Sequence, residues 1–300
     1  MSEDGPSPSP SALGVWLSAA RPRTLPAAVA PVLVGTAMAA HDHALVPAAA
    51  LLCLAFALLV QVGTNFANDY YDFVKGADTE ARVGPRRAVA AGLVKPATMR
   101  KAMFAVFAVA FVLGLSLIHW GGPWMLAIGI ASILSGIAYT GGPWPLGYHG
   151  LGDVFVFIFF GLVAVSTTYF VQAGTVTGMV VLASVPMGLL AANILLVNNY
   201  RDADTDVVAN KRTVVVRFGR RYARAQFGAS VAVALIVPLI FRAGGYSSWC
   251  LLPLLLSPMA FSHIKRLKSA RGPLELVALL GATGKLLALY AVLFAAGVSF

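Results

Sequence analysis

The sequence predicts an all-α protein, a polytopic transmembrane bundle of about nine helices around a central cavity with its N-terminus cytoplasmic. Three observations predict it. First, 59% of the 300 residues are hydrophobic and only 11% are charged, whereas soluble domains carry about 25% charged residues. Second, the apolar runs are continuous rather than alternating, which selects helices over a lipid-facing barrel; one or the other is required, because backbone in lipid must satisfy its own hydrogen bonds. Third, the net charge of +10 is concentrated between the runs. With spans in place, that excess points to cytoplasmic loops and anionic lipid rather than to nucleic acid.

In chain order, residues 1–12 are Ser/Pro-rich and carry Glu3 and Asp4 without the basic start of a secretory signal. They read as a disordered tail, and 13–300 as a single transmembrane domain. Spans are expected over 24–41, 46–70, 99–119, 123–140, 151–173, 177–200, 222–241, 246–264 and 276–298, each near the roughly 20 residues that cross a bilayer. Pro186, Pro238 and Pro253 fall inside spans, where neighbouring helices can satisfy the freed carbonyls. Cys53 and Cys250 lie far apart in apolar runs, match no metal spacing and read as small core residues.

Basic residues test the layout. All but two of the 22 fall before the first span (Arg21, Arg23), between spans two and three (Lys75 to Lys101), between six and seven (Arg201 to Arg224), or between eight and nine (Lys265 to Arg271). Those segments share one face, which the positive-inside rule makes cytoplasmic. Arg242 is on the opposite face and Lys285 lies inside the last span.

Six of the twelve acidic residues crowd into two short stretches on that same face. One is Asn68-Asp69-Tyr70-Tyr71-Asp72 with Asp78 after Gly76; the other is Asn198-Asn199-Tyr200-Arg201-Asp202-Ala203-Asp204-Thr205-Asp206. Each follows an apolar run and leads into basic residues. Asn68 and Asp72, like Asp202 and Asp206, are four apart and share a helix face. Gly76 lets the chain turn so that Asp78 points back. Either cluster alone is equally an ordinary polar helix end. Their repetition, and the scarcity of acids elsewhere, favour two facing sets of hard oxygen ligands. Such a set suits Mg²⁺ shared with substrate phosphates, with neighbouring Lys and Arg on the remaining phosphate oxygens. Asp69 and Asp204 point about 100° away from their neighbours on a helix and read as solvated.

Three further features have two readings each. Tyr139, Thr140, Gly141 and Gly142 form a helix end where backbone can approach a ligand, or an ordinary glycine stop. Lys285, an intramembrane cation, either faces the central cavity and orients a substrate or snorkels. His149 and Asp153 bind aromatic substrate or shape their loop.

The paired motifs resemble the aspartate-rich motifs of the UbiA superfamily of intramembrane prenyltransferases. Arg21-Pro22-Arg23-Thr24-Leu25-Pro26, Tyr139-Thr140-Gly141-Gly142-Pro143, Leu146-Gly147-Tyr148 and Leu151-Gly152-Asp153 resemble its 1,4-dihydroxy-2-naphthoate polyprenyltransferase branch, of menaquinone biosynthesis. The spacing from Asp72 to Asp78 also agrees with that branch rather than with the hydroxybenzoate branch. The resemblance covers nearly the whole chain after the tail. It implies Mg²⁺ held by Asn68, Asp72, Asp78, Asp202 and Asp206. It implies diphosphate contacts from Lys75, Arg82, Arg201 and Lys211, to which the readings above add Tyr139, Thr140 and Lys285 as candidate substrate contacts. The implied reaction moves a polyprenyl group from polyprenyl diphosphate to dihydroxynaphthoate with loss of diphosphate and CO2, giving demethylmenaquinol. The implied location is the bacterial cytoplasmic (inner) membrane, multi-pass, with the active site facing the cytoplasm. Transfer to another aromatic acceptor such as 4-hydroxybenzoate stays open, as does a transporter, although a transporter would place its acids near the bilayer midplane.

Overall fold

A computed structural model describes residues 11–78, 84 and 87–300. The described residues are helical with no strand. Ser11 caps α1 (Ala12–Ala20), so the chain is already helical where a tail was expected to end, and residues 1–10 lie outside the described residues. A 3-10 turn at Pro22–Thr24 leads into α2 (Pro26–His41), followed by α3 (Pro47–Val74), α4 (Pro96–Leu115), α5 (Ile118–Gly121) and α6 (Trp124–Ala138). One long helix is built of α7 (Gly152–Phe157), a π-helical stretch (Ile158–Val163) and α8 (Ala164–Ala173). Then come α9 (Gly178–Val208), α10 (Val214–Ala243), a 3-10 stretch (Ser248–Leu256) with α11 (Ser257–Ser269), and α12 (Pro273–Val298).

Local chemistry sets the boundaries. Proline stands in the first turn of α2, α3, α4 and α12, where its missing N–H costs nothing. Gly174, at φ 71°, stops α8. Inside α10, Gly219 has a φ of 80° and ψ of 168°, breaking the first turn from the rest.

All nine expected apolar segments are helical, but not all form a single helix long enough to span. Among the described residues, six helices are long and apolar enough to cross a membrane alone: α3, α4, α7–α8, α9, α10 and α12. A seventh is the pair Ala12–Thr24 and Pro26–His41, bent by 52°. The 15-residue α6 is shorter, and the segment at 246–264 is 3-10 helix for half its length.

α9 is the central element. It is buried over most of its apolar length, the other five single-helix spans over less than half, and it packs against α2, α7, α8, α10 and α12. Close approach is made by small residues, as is usual where the surrounding lipid is as apolar as the core. A Cβ at Gly188 of α9 would stand 3.2 Å from Gly161 Cα and 2.6 Å from the Phe157 carbonyl oxygen, so the π-helical stretch lies directly on α9.

Pro238 illustrates how the bundle tolerates a helix interior proline. It cannot donate to the carbonyl of Ala234, four residues earlier. The Tyr290 hydroxyl of α12 donates to that carbonyl instead, at 2.6 Å, in a buried position. Tyr290→Phe should therefore destabilise the detergent-solubilised protein by about 1–3 kcal/mol, the cost of an unsatisfied buried acceptor. In a Pro238→Ala background, where the N–H returns, most of that cost should disappear. Equal losses in both backgrounds, read by thermal unfolding, would contradict this account.

Candidate active site

The last turns of α3 hold the first acidic cluster. Asp72 is buried. Its Oδ1 accepts the Tyr148 hydroxyl at 2.9 Å, and its Oδ2 accepts Arg87 Nη2 at 3.0 Å. One turn earlier, Asn68 Oδ1 accepts the Thr140 hydroxyl at 2.9 Å. Beyond the helix end Gly76 has a φ of 67°, a left-handed value that favours glycine. The turn brings Asp78 back, with Oδ1 3.4 Å from Arg87 Nε. One guanidinium thus holds two carboxylates.

The second cluster ends α9. Arg201 Nε and Nη2 both lie 2.6 Å from Asp202 oxygens, and Nη2 also donates to Asn198 Oδ1 at 2.9 Å. Asn210 is left-handed, with a φ of 53°, and the Lys211 N–H bonds back to the Asp206 carbonyl at 2.8 Å, a helix stop of the kind asparagine supports. The turn carries Lys211 Nζ to 3.7 Å from Asp206 Oδ1.

Tyr148 joins the clusters from a 3-10 turn, Leu146–His149. Its hydroxyl is on Asp72, Lys75 Nζ and Lys211 Nζ lie 4.9 Å and 5.5 Å from its ring centroid, and its carbonyl accepts the Arg212 N–H at 2.9 Å. Burial, reinforced by Asp72, pushes the Tyr148 phenol well above its ordinary pKa, so it remains a donor. Lys75 donates to the Thr140 and Gly142 carbonyls at 2.7 Å and 3.4 Å; partial burial lowers its ammonium pKa, and Asp72 opposes that shift. Gly84 also comes close to the second cluster: a Cβ there would lie 3.4 Å from Arg201 Nη1.

An apolar cavity lies among α2, α3, α6 and α7–α8, lined by Gln61, Thr64, Tyr139, Phe155 and Phe159 among others. Tyr139 caps α6. The arrangement is two cation-neutralised carboxylate sets joined through one tyrosine at the end of a greasy chamber.

Residues 28–273 match the sequence profile of the UbiA prenyltransferase family. The chain belongs to the UbiA prenyltransferase family. A 1,4-dihydroxy-2-naphthoate octaprenyltransferase of Mycobacterium tuberculosis is 39% identical over 285 residues, covering 95% of this chain and 97% of that protein. The apo structure of a UbiA homolog from Aeropyrum pernix K1 has the same fold, with a TM-score of 0.70 at 14% identity over 91% of this chain and 96% of that one. A UbiA homolog from Archaeoglobus fulgidus bound to DMAPP and Mg²⁺ has a TM-score of 0.59 at 15% identity, over 93% and 98%.

The UbiA-type site fits a divalent metal in a particular way. Asn68, Asp72, Asp78, Asp202 and Asp206 offer only hard oxygens, as Mg²⁺ prefers. Among the described residues, however, no three His, Cys, Asp or Glu side chains gather into a cage. The donor set therefore suits Mg²⁺ held by a few carboxylates together with diphosphate oxygens and water, rather than by protein alone.

Most residues nominated from the sequence meet here: Asn68, Asp72, Lys75, Asp78, Tyr139, Thr140, Arg201, Asp202, Asp206 and Lys211. Arg82 lies outside the described residues. Lys285 does not face the cavity as expected. It is exposed on α12, on the outward stripe of Leu274 and Val292, with no hydrogen bond or ion pair among the described residues and outside the cavity lining. His149 stacks on Trp144 at 4.3 Å and meets the Pro145 carbonyl at 2.9 Å, and Asp153 accepts from Gln226 at 2.8 Å; neither lines the cavity. Tyr148 and Arg87 were given no site role from sequence. The only signals for them were a Leu-Gly-Tyr motif and a basic segment.

Asp204 is solvated as expected, its side chain 84% exposed beside Arg220 at 3.0 Å. Asp69 is not. It is 1% exposed, and its two oxygens accept the N–H groups of Ala88 and Val89 at 3.0 Å and 3.2 Å. The helix-face argument pointed it away from Asp72 correctly, but toward a returning loop instead of water. Asp69→Ala should speed amide hydrogen exchange across residues 87–94 and destabilise that segment by about 1–3 kcal/mol. Asp204→Ala should leave exchange there unchanged. Equal exchange in the two variants would refute the anchoring role.

Proposed function

We propose that this protein transfers a polyprenyl group from polyprenyl diphosphate to 1,4-dihydroxy-2-naphthoate, releasing diphosphate and CO2 and giving demethylmenaquinol. The observation that carries the reading is the joining of the two carboxylate clusters through Tyr148 beside an apolar cavity, in a chain 39% identical over nearly its whole length to a protein of that name. Asn68, Asp72, Asp78, Asp202 and Asp206 would hold Mg²⁺ against the diphosphate. When bound, Mg²⁺ supplies positive charge to the leaving group.

The chain's own residues do the rest. Lys75, Arg87, Arg201 and Lys211 neutralise the diphosphate oxygens as the allylic C–O bond breaks and its electron pair leaves with diphosphate. Tyr139, Phe155, Phe159 and Phe160 wall the cavity; their faces stabilise the allylic cation and exclude water from it. A ring carbon of the acceptor then donates its π pair to form the new C–C bond. Loss of CO2 and a proton returns electrons to the ring. The cluster end of the bundle faces the cytoplasm of the bacterial inner membrane, supported by the basic residues crowded at that end, and residues 13–300 act as one unit.

The test is turnover by purified protein with labelled farnesyl diphosphate and either dihydroxynaphthoate or 4-hydroxybenzoate. Dihydroxynaphthoate should be prenylated and decarboxylated, with 4-hydroxybenzoate at background. Asp72→Ala or Asp202→Ala should lower kcat by about 10²–10³-fold or more, as for loss of one preorganised charge contact, without altering size-exclusion behaviour. Excess EDTA should abolish turnover. Full activity in EDTA, or preference for 4-hydroxybenzoate, would overturn the reading.

A further inference from the structure

A second polar layer lies deeper in α3, on the face that carries the acidic cluster. Gln61, Asn65, Asn68 and Asp72 follow one another at spacings of four, three and four, so they share a helix face. Gln61 is seven residues before Asn68, or about 10 Å further into the bundle at helical rise. It is 7% exposed and lines the apolar cavity.

The hydrogen bonds around Gln61 fix which way its amide points. The Thr24 hydroxyl donates its one proton to the Arg21 carbonyl at 2.9 Å, so Thr24 Oγ1 can only accept from its other neighbours. Asn65 Nδ2 donates to the Ala20 carbonyl at 2.9 Å and to Thr24 Oγ1 at 3.1 Å, which leaves Asn65 Oδ1 as an acceptor. Both groups facing Gln61 are therefore acceptors, and Gln61 must present its NH2 to them: Nε2 lies 3.1 Å from Thr24 Oγ1 and 3.5 Å from Asn65 Oδ1. Both amide protons are used. The remaining atom, Oε1, is buried and has no hydrogen-bond partner among the described residues. Asn193 Oδ1 and His263 Nδ1 are also buried without a hydrogen-bond partner, but neither residue lines the cavity.

A buried amide carbonyl calls for a donor. A polyprenyl chain is hydrocarbon and has none; a hydroxyl on an aromatic acceptor has one. We propose that Gln61 Oε1 accepts a hydrogen bond from a ring hydroxyl of the acceptor, making Gln61 the residue that orients the ring in the cavity and selects hydroxylated acceptors. The inference rests on the prenyl-transfer reading above and adds to it a contact on the acceptor. Accepting that O–H bond also raises electron density on the ring carbons ortho and para to the hydroxyl, where attack on the allylic carbon occurs.

The test compares dihydroxynaphthoate with its two monomethyl ethers in wild type, Gln61→Met and Gln61→Leu, using farnesyl diphosphate. In wild type, kcat/KM for one of the ethers should fall about 10–100-fold, the range for one lost buried hydrogen bond. In the variants the acceptor KM should rise and the discrimination between parent and that ether should collapse toward unity. KM for farnesyl diphosphate should stay within about two-fold, since uniform binding of that substrate is untouched. A merely structural role would alter both substrates together and leave the ratio of parent to ether unchanged; that outcome overturns the inference. Wild-type protein that accepts both ethers as well as the parent overturns it without any variant, so a variant that fails to fold does not shelter it. Wild-type protein that binds farnesyl diphosphate but prenylates no naphthoate overturns the function reading itself, a result separable from the other two.

Discussion

Burying a carboxylate in a bundle this apolar costs several kcal/mol per ion even after relaxation, and the structure answers that cost residue by residue. Asp72 takes Arg87 and the Tyr148 hydroxyl; Asp78 shares the same guanidinium. Asp202 takes both arms of Arg201, and Asp206 takes Lys211. Asp69, further in, takes two backbone N–H groups. These pairings explain features that otherwise look unrelated. Gly76 and Asn210 adopt left-handed backbone because Asp78 and Lys211 must be turned back over the helix ends they follow. The 3-10 turn at Leu146–His149 is where it is because Tyr148 has to reach Asp72 while Lys75 and Lys211 flank its ring.

The same pairings suit the proposed chemistry. A site that binds a metal-diphosphate must offer carboxylates to the metal and cations to the phosphates. In the protein by itself those two sets neutralise each other, at distances of 2.6 to 3.7 Å. On the proposed reading, substrate entry exchanges partners without leaving a buried charge unmatched: carboxylates turn to metal and cations to phosphate oxygens. On that reading the metal draws on carboxylates of both clusters together with diphosphate oxygens and water, since among the described residues no three His, Cys, Asp or Glu side chains gather into a cage.

Much of this was legible in the sequence, and what was not has identifiable causes. The all-helical bundle follows from continuous apolar runs, and the two clusters from acids that are scarce elsewhere. The return of Asp78 is written in Gly76, and the solvation of Asp204 in its angular offset on α9. The role of Asp69 was hidden because its partners, Ala88 and Val89, lie some 20 residues along and contribute only backbone. Arg87 and Tyr148 were hidden for a related reason: pairing across loops leaves no period to read. Lys285 misled because α12 is apolar all round. Lipid is as apolar as a protein core, so hydropathy cannot distinguish the outward stripe of Leu274 and Val292 from the inward one. The helix α6 is shorter than its expected span, and the stretch before α11 is 3-10 helix, because hydropathy alone carries no record of helix ends or helix type.

The central claim is that the two clusters act as one site for a metal-diphosphate. Equilibrium binding of an unreactive farnesyl thiodiphosphate tests it directly, with Mg²⁺ titrated into wild type, Asp72→Asn, Asp202→Asn and the double variant. If the clusters share one ligand, Mg²⁺ tightens binding in wild type, each single substitution removes most of that gain, and the double variant loses little more than either one, because residues that act as a unit are non-additive. Binding that ignores Mg²⁺, or losses that simply add, would mean two independent sites and would contradict the account.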